Sequence, residues 1–282
     1  MLIAVCSLKG SPGVTTFSVA LAARWPAQAR RVLVECDPSG GDVATRFGLA
    51  SSPGLVSLAA AARRSSDPGL LWEHTQALPG GLLMVAAPPG ADQALAALAA
   101  LAPESSGGAG VLRLAATATD AVVIADCGRV DPTSSVLPIV RSADVMLLLS
   151  RAHADDLAHL ATRLSTVGRW SPRPGLLLVG EGYSAAEVSR ELGVPAMGQI
   201  PEDRHAAAVL CGRHGGRGGP SRSGLGHSAI TVARALLSDP PTLSDPRRSS
   251  APASQPVPVP RAAPLLPTTP APDVTSRNGR RP

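Results

Sequence analysis

Short runs that are apolar at nearly every position alternate along the chain with longer Ala- and Leu-rich stretches of helical period. The runs predict strands at 2–6, 32–35, 82–86, 122–126, 145–149, 176–179 and 197–200. The stretches between them predict helices at 15–24, 92–101, 111–117, 133–140, 154–167, 185–192, 204–211 and 228–237. A strand that is apolar throughout, rather than at alternate positions, is buried on both faces, which is the condition of a parallel sheet covered by helices. The pattern therefore predicts an α/β fold: a doubly wound, mostly parallel sheet of seven to eight strands with helices on both faces. Ligands in such sheets bind at the carboxyl ends of the strands. The loops after Cys6, Glu35, Asp126, Leu149 and Ile200 are the places to look for chemistry.

The periodic pattern ends near residue 238. Residues 239–282 hold 12 prolines, six Arg and three Asp with no helical period, and predict a disordered Pro/Arg-rich tail behind a single domain at 1–238. A Gly-rich stretch at 212–226 carries Arg213, Arg217 and Arg222 and predicts a basic loop. Charge follows this division: residues 1–203 carry a net −3 and residues 204–282 a net +8, so any attraction to nucleic acid or an anionic surface belongs to the C-terminal part. Only six residues are aromatic, which argues against modules that read bases by stacking. The four cysteines lie far apart without a C-x-x-C pair, and the six histidines lack metal spacing; both fit buried thiols and ordinary imidazoles in a reducing cytoplasm. No apolar run is long enough to span a membrane, so a cytoplasmic protein with no integral membrane segment is expected.

The loop after the first strand reads Lys9-Gly10-Ser11-Pro12-Gly13-Val14-Thr15-Thr16 and runs directly into a helix. Strand, Gly-containing loop and Thr-initiated helix together aim backbone N–H groups and a positive helix end at phosphate, and Thr15 stands where a hydroxyl would hold Mg²⁺. A strict Walker A pattern fails at two places: Leu8 replaces its first Gly and Val14 replaces its Lys. Lys9 is the only lysine in the chain; the other 25 basic residues are Arg. Taken alone the loop leaves open a plain α/β turn, and an acid at a strand end leaves open a helix or turn cap.

The loop, with four further segments in order, resembles the MinD/ParA family of deviant Walker A P-loop ATPases. Lys9 matches the family's signature lysine, which reaches across a nucleotide-sandwich dimer; Gly10, Gly13, Thr15 and Thr16 also match, while Ser11 replaces Gly and Val14 the second lysine. The run V-L-V-E-C-D-P-S-G-G-D at 32–42 resembles the second-strand motif and places Asp37 on the acid that positions the attacking water, with Glu35 in place of the motif's first Asp. The run V-V-I-A-D-C-G at 122–128 looks like Walker B and places Asp126 beside Mg²⁺, the run from Ser142 to Leu149 is similar to the strand that follows in these ATPases, and the run at 192–203 resembles the segment whose Pro201 lines the adenine pocket. Where relatives carry an adenine-reading Asn, this chain has Gly180-Glu181-Gly182.

The resemblance implies a homodimer that binds ATP and Mg²⁺ and positions a cargo such as a chromosome, a division site or pilus and secretion machinery. Asp37 and Lys9 would be catalytic, Gly10, Ser11, Gly13, Val14, Thr15, Thr16 and Pro201 would hold nucleotide, and Thr15 with Asp126 would hold the metal. Losing the Val14 cation implies an affinity or rate lower by about 10- to 150-fold, hence weak or absent hydrolysis. The alternative is a non-hydrolysing scaffold of the TadZ/CpaE-like pilus branch that recruits partner proteins, and Arg213, Arg217 and Arg222 mark a further option of non-specific DNA contact.

Overall fold

Twenty elements follow one another in a computed structural model that describes residues 1–10, 12–26, 28–102, 110–213 and 222–238. They are β1 Leu2–Ser7, α1 Val14–Arg24, β2 Arg30–Glu35, α2 Val43–Phe47, α3 Leu55–Ala62, α4 Leu70–Glu73, β3 Gln76–Ala77, β4 Leu83–Val85, α5 Ala91–Leu101 and α6 Val111–Ala115. Then come β5 Ala121–Arg129, α7 Leu137–Ser142, β6 Val145–Arg151, α8 Ala154–Ala161, α9 Leu164–Val167, β7 Pro174–Val179, α10 Ala185–Leu192, β8 Ala196–Ile200, α11 Arg204–Leu210 and α12 Gly224–Ser238. The strands form one sheet in the order β3-β4-β2-β5-β1-β6-β7-β8. Every pairing is parallel except that of β3 with β4.

The apolar strands are buried because the sheet has a core on each side. Along β1, Leu2, Ala4 and Cys6 enter the core under α3, α5, α7, α8 and α10, while Ile3 and Val5 enter the core under α1, α11 and α12. The same alternation divides Val32 and Val34 from Leu33, and Val123 and Ala125 from Ile124. Strand periodicity of two thus explains why no polar position interrupts these segments. Cys6, Cys36 and Cys127 are buried free thiols, and burial pushes the Cys6 thiol up to about 12.

Several elements differ from the sequence expectation. The short antiparallel β3, and the helices α2, α3 and α4, lie in a stretch where no element was predicted, and with β3 the sheet has eight strands, within the expected seven to eight. The helix expected at 133–140 starts at Leu137, because the Asp131 carboxylate takes the N–H and the hydroxyl of Thr133 and holds that segment in a turn. The helix expected at 154–167 is two, α8 and α9. The basic loop ends earlier than expected, with the Ser223 hydroxyl accepting from Gly226 N–H at 3.0 Å to open α12. The tail at 239–282 lies outside the described residues. Among the described residues no helix is long and apolar enough to cross a membrane.

Asp144 fastens the start of β1. It accepts from Leu2 N–H at 2.8 Å and pairs with Arg113 of α6. A hydrogen bond to a charged group contributes about 1.5–3 kcal/mol. We expect Asp144→Ala to lower unfolding free energy by about that amount in a urea titration, with little change in the slope of the transition.

Candidate functional site

The loop between β1 and α1 turns on two glycines. Gly10 has φ +65° and Gly13 has φ +89°, a backbone region that side chains disfavour. Gly13 is the cap residue of α1, and among the described residues no side chain caps that end. The first-turn N–H groups of Val14, Thr15 and Thr16 are therefore available to a ligand. They border a cleft of about 710 Å³ lined on one side by Gly10, Gly13 and Thr15 and on the other by Asp37, Gly128 and Arg129.

Beneath this cleft two carboxylates share one level of the sheet. Parallel register sets Glu35 of β2 and Val5 of β1 against Asp126 of β5. Both acids are on the α1 side, as the alternation of neighbouring residues requires, and both are buried. Glu35 is well supplied: its Oε1 accepts from the N–H groups of Asp42 at 3.1 Å and Val43 at 3.0 Å, and its Oε2 accepts from Ala87 N–H at 3.0 Å. Burial still holds its pKa above the usual carboxylate range. Asp126 is poorly supplied. Its Oδ1 accepts one long bond from Gly128 N–H at 3.3 Å, the Thr15 hydroxyl lies beside the carboxylate and favours its charged form, and its Oδ2 is buried without a close hydrogen-bond partner among the described residues. Burial first, and then the charges of Glu35 and Asp37, raise it to about 7, although the Thr15 hydroxyl and the Gly128 N–H act the other way.

An ionised carboxylate with a bare, buried oxygen is costly unless a cation offsets it. The donor set is a hard hydroxyl that lines the polar cleft and a hard carboxylate buried beside it, which is the chemistry that Mg²⁺ accepts. Thr15 and Asp126 thus fit that ion on an observation of the chain itself.

Asp37 leaves β2 two residues beyond Glu35 and faces the cleft, where its Oδ1 accepts from Ser39 N–H at 2.8 Å. Its carboxylate packs directly on Gly128. A Cβ at Gly128 would collide with Asp37 Oδ2, and the φ of +57° there is a second reason for glycine.

The cations near the loop are divided. Lys9 does not line the cleft; its Nζ pairs at 3.1 Å with Asp155 in the first turn of α8, both side chains being exposed. Arg46 lines the cleft but is paired with Asp42 at 2.7 Å. Val14 points into the core beneath α1 and is 6% exposed.

On the far side of Gly13 and Thr16 a second pocket of about 200 Å³ is lined by Pro12, Phe17, Leu149, Ile200 and Pro201, with Arg151 and Glu202 at its polar part. Gly13 and Thr16 border both cavities, so a long ligand can lie across the start of α1 with an anionic end in the cleft and an apolar, flat end here. Over Gly180, in the segment that lacks the expected Asn, sits the Glu202 carboxylate, 3.1 Å from where a Cβ would be.

Comparison with solved structures supports the same architecture. A ParA family ATPase from Chlorobium tepidum TLS superposes with a TM-score of 0.63 at 16% identity, over 83% of this chain and 99% of that one. The septum site-determining protein MinD of Pyrococcus horikoshii OT3, solved with Mg-ADP, gives 0.63 at 16% identity over 83% and 95%. The chain has the fold of the MinD/ParA ATPases. A third MinD/ParA-like structure, the ATP complex of a Cyanothece McdA variant, gives 0.58 at 15% identity over 86% and 98%. No protein-family model matches the chain, and no curated protein does.

On this MinD/ParA-like frame the expected residues fall into three groups. Gly10, Gly13, Val14, Thr15, Thr16 and Asp37 border one cleft with Asp126 beneath it, and Pro201 lines the adjoining pocket. Lys9 stands apart on Asp155, and Arg213 and Arg222 are exposed. Ser11 and Arg217 lie outside the described residues. Ser39, Asp42 and Arg46 were missed in the sequence; an acid and a base four residues apart in the second motif, Asp42 and Arg46, were the available signal.

Proposed function

We propose that the protein binds ATP with Mg²⁺ in this cleft, dimerises around the nucleotide and positions a cellular cargo in the cytoplasm, with slow hydrolysis. The observation that carries the proposal is the buried Asp126 carboxylate beside Thr15, which itself lines a cleft bordered by the N-terminal N–H groups of α1. In this scheme the first-turn amides of α1 hold the phosphates, and Pro201 with Phe17 holds the base. Thr15 and Asp126 would hold Mg²⁺, which when bound supplies positive charge to the phosphate oxygens. Asp37, fixed by Ser39 N–H, orients a water for in-line attack on the γ-phosphate. Support from outside the chain is that similar folds were solved with Mg-ADP and with ATP.

Calorimetric titration with ATP, with and without Mg²⁺, tests binding, and phosphate release tests turnover. We expect Mg²⁺-dependent binding, and in Asp37→Ala a loss of phosphate release of about 100-fold or more with affinity kept within a few-fold. Tight binding with no phosphate release in the native protein selects the scaffold that recruits partner proteins. No binding of ATP at millimolar concentration ends the proposal.

A further inference from the structure

We propose that Arg129 supplies the phosphate-binding charge that Val14 cannot. The inference rests on the ATP-binding proposal and adds the residue that makes such binding workable in a loop lacking its customary lysine.

The backbone places Arg129 tightly. It is the last residue of β5, paired in register with Ser7, the last residue of β1. Val130 N–H donates to Ser7 carbonyl at 2.8 Å, so the strand end is stitched to the residue that opens the loop. Gly128, at φ +57°, turns the chain just before Arg129, and Arg129 lines the cleft opposite Gly13 and Thr15.

Charge accounting singles out the same residue. Lys9 is occupied by Asp155 and Arg46 by Asp42, while Arg151 lines the neighbouring pocket. Val14 is buried among apolar side chains and has nothing to donate. Among the described residues Arg129 makes no ion pair or hydrogen bond through its side chain; its one marked electrostatic neighbour is Asp131, an exposed acid that already serves the Thr133 turn. The cleft also carries Asp37 and Asp42 on its wall and Asp126 below, so a triphosphate entering without an added cation meets net repulsion. A cationic side chain at this strand end can bring its charge and donors to phosphate oxygens from the side of the cleft.

A charge-exchange series read by calorimetry with Mg-ATP, Mg-ADP and AMP tests this. Arg129→Ala should weaken Mg-ATP binding by about 10- to 150-fold and AMP binding far less, while Arg129→Lys keeps most of the affinity. Arg129→Gln, which keeps hydrogen-bond donors but no charge, should lose as much Mg-ATP affinity as Arg129→Ala, because the claim concerns charge at the phosphates. Arg129 is exposed, so the melting temperature without nucleotide should be unchanged in all single variants at this position. Unaltered Mg-ATP affinity in Arg129→Ala overturns the inference and leaves the ATP-binding proposal standing. A loss as large in Arg129→Lys as in Arg129→Ala, or one that is equal for AMP, also overturns it. If the native protein does not bind Mg-ATP, the proposal beneath it fails first.

Discussion

Asp126→Asn is expected to stabilise the nucleotide-free protein at pH 8 while removing its response to Mg²⁺. Asp126 is buried and its pKa stands at about 7 against an ordinary 3.8. Between those two values the folded state binds the proton that the unfolded state has released. Stability must therefore fall as pH rises from about 4 to about 7 and level off above that. At 1.36 kcal/mol per pKa unit the loss from this group alone is roughly 4 kcal/mol. An asparagine never ionises, so at pH 8 it avoids that loss, less what its own amide pays for a missing partner in the same place. The expected outcome is a gain of about 2–4 kcal/mol by urea unfolding at pH 8 without Mg²⁺, and nearly none at pH 4.5. The native protein should regain the difference when Mg-ATP is added, and the variant should not. Equal stabilities at pH 8 would mean that the carboxylate already has a partner. A charge kept at a cost in the empty site is what ligand binding, and not folding, requires.

How far the chain reveals this arrangement depends on the range of the interactions that create it. The strands and the two-sided sheet were legible because burial on both faces leaves an unbroken apolar run, as in Leu2 to Cys6. The loop was legible because its glycines and threonines act through their own backbone over eight residues. Asp37, Asp126 and Pro201 were legible only through their order along the chain, since nothing local ties residue 126 to residue 15. The three short helices α2, α3 and α4 were not legible. They are four to eight residues long and start at Asp42 or at glycines without a side-chain N-cap bond from the cap residue, so they hold together by packing on the sheet. The role of Glu35 was not legible either. Its three donors lie 7, 8 and 52 residues away and come together only when β2 and β4 are side by side. Lys9 is the opposite case: its sequence position suggests a partner across a dimer, and within one chain its neighbour is Asp155.

Glu35→Ala should be among the most damaging single changes in the domain. The carboxylate clasps two segments at once. On one side it holds the N–H groups of Asp42 and Val43, where α2 begins; on the other it holds the N–H of Ala87, just past β4. The chain around it is built to be close: a Cβ at Gly41 would collide with Glu35 Oε2, and one at Gly40 would lie 2.5 Å from the Pro89 carbonyl oxygen. Removing the side chain orphans three N–H groups in a space too tight for its neighbours to fill, at about 1–3 kcal/mol each. Relief of the repulsion between Glu35 and Asp126 returns part of this. The net expectation is a loss of about 3–6 kcal/mol by urea or thermal unfolding. Glu35→Gln should fall between, because one of its two terminal atoms becomes a donor facing another donor. The clasped segment carries Asp37 and Ser39, so loosening it also frees the carboxylate that lies against Gly128. At temperatures where Glu35→Gln remains folded, phosphate release should therefore drop more than Mg-ATP affinity does. An equal drop in both would place the Asp37 loop under the control of the ligand, and not of the buried acid that holds its base.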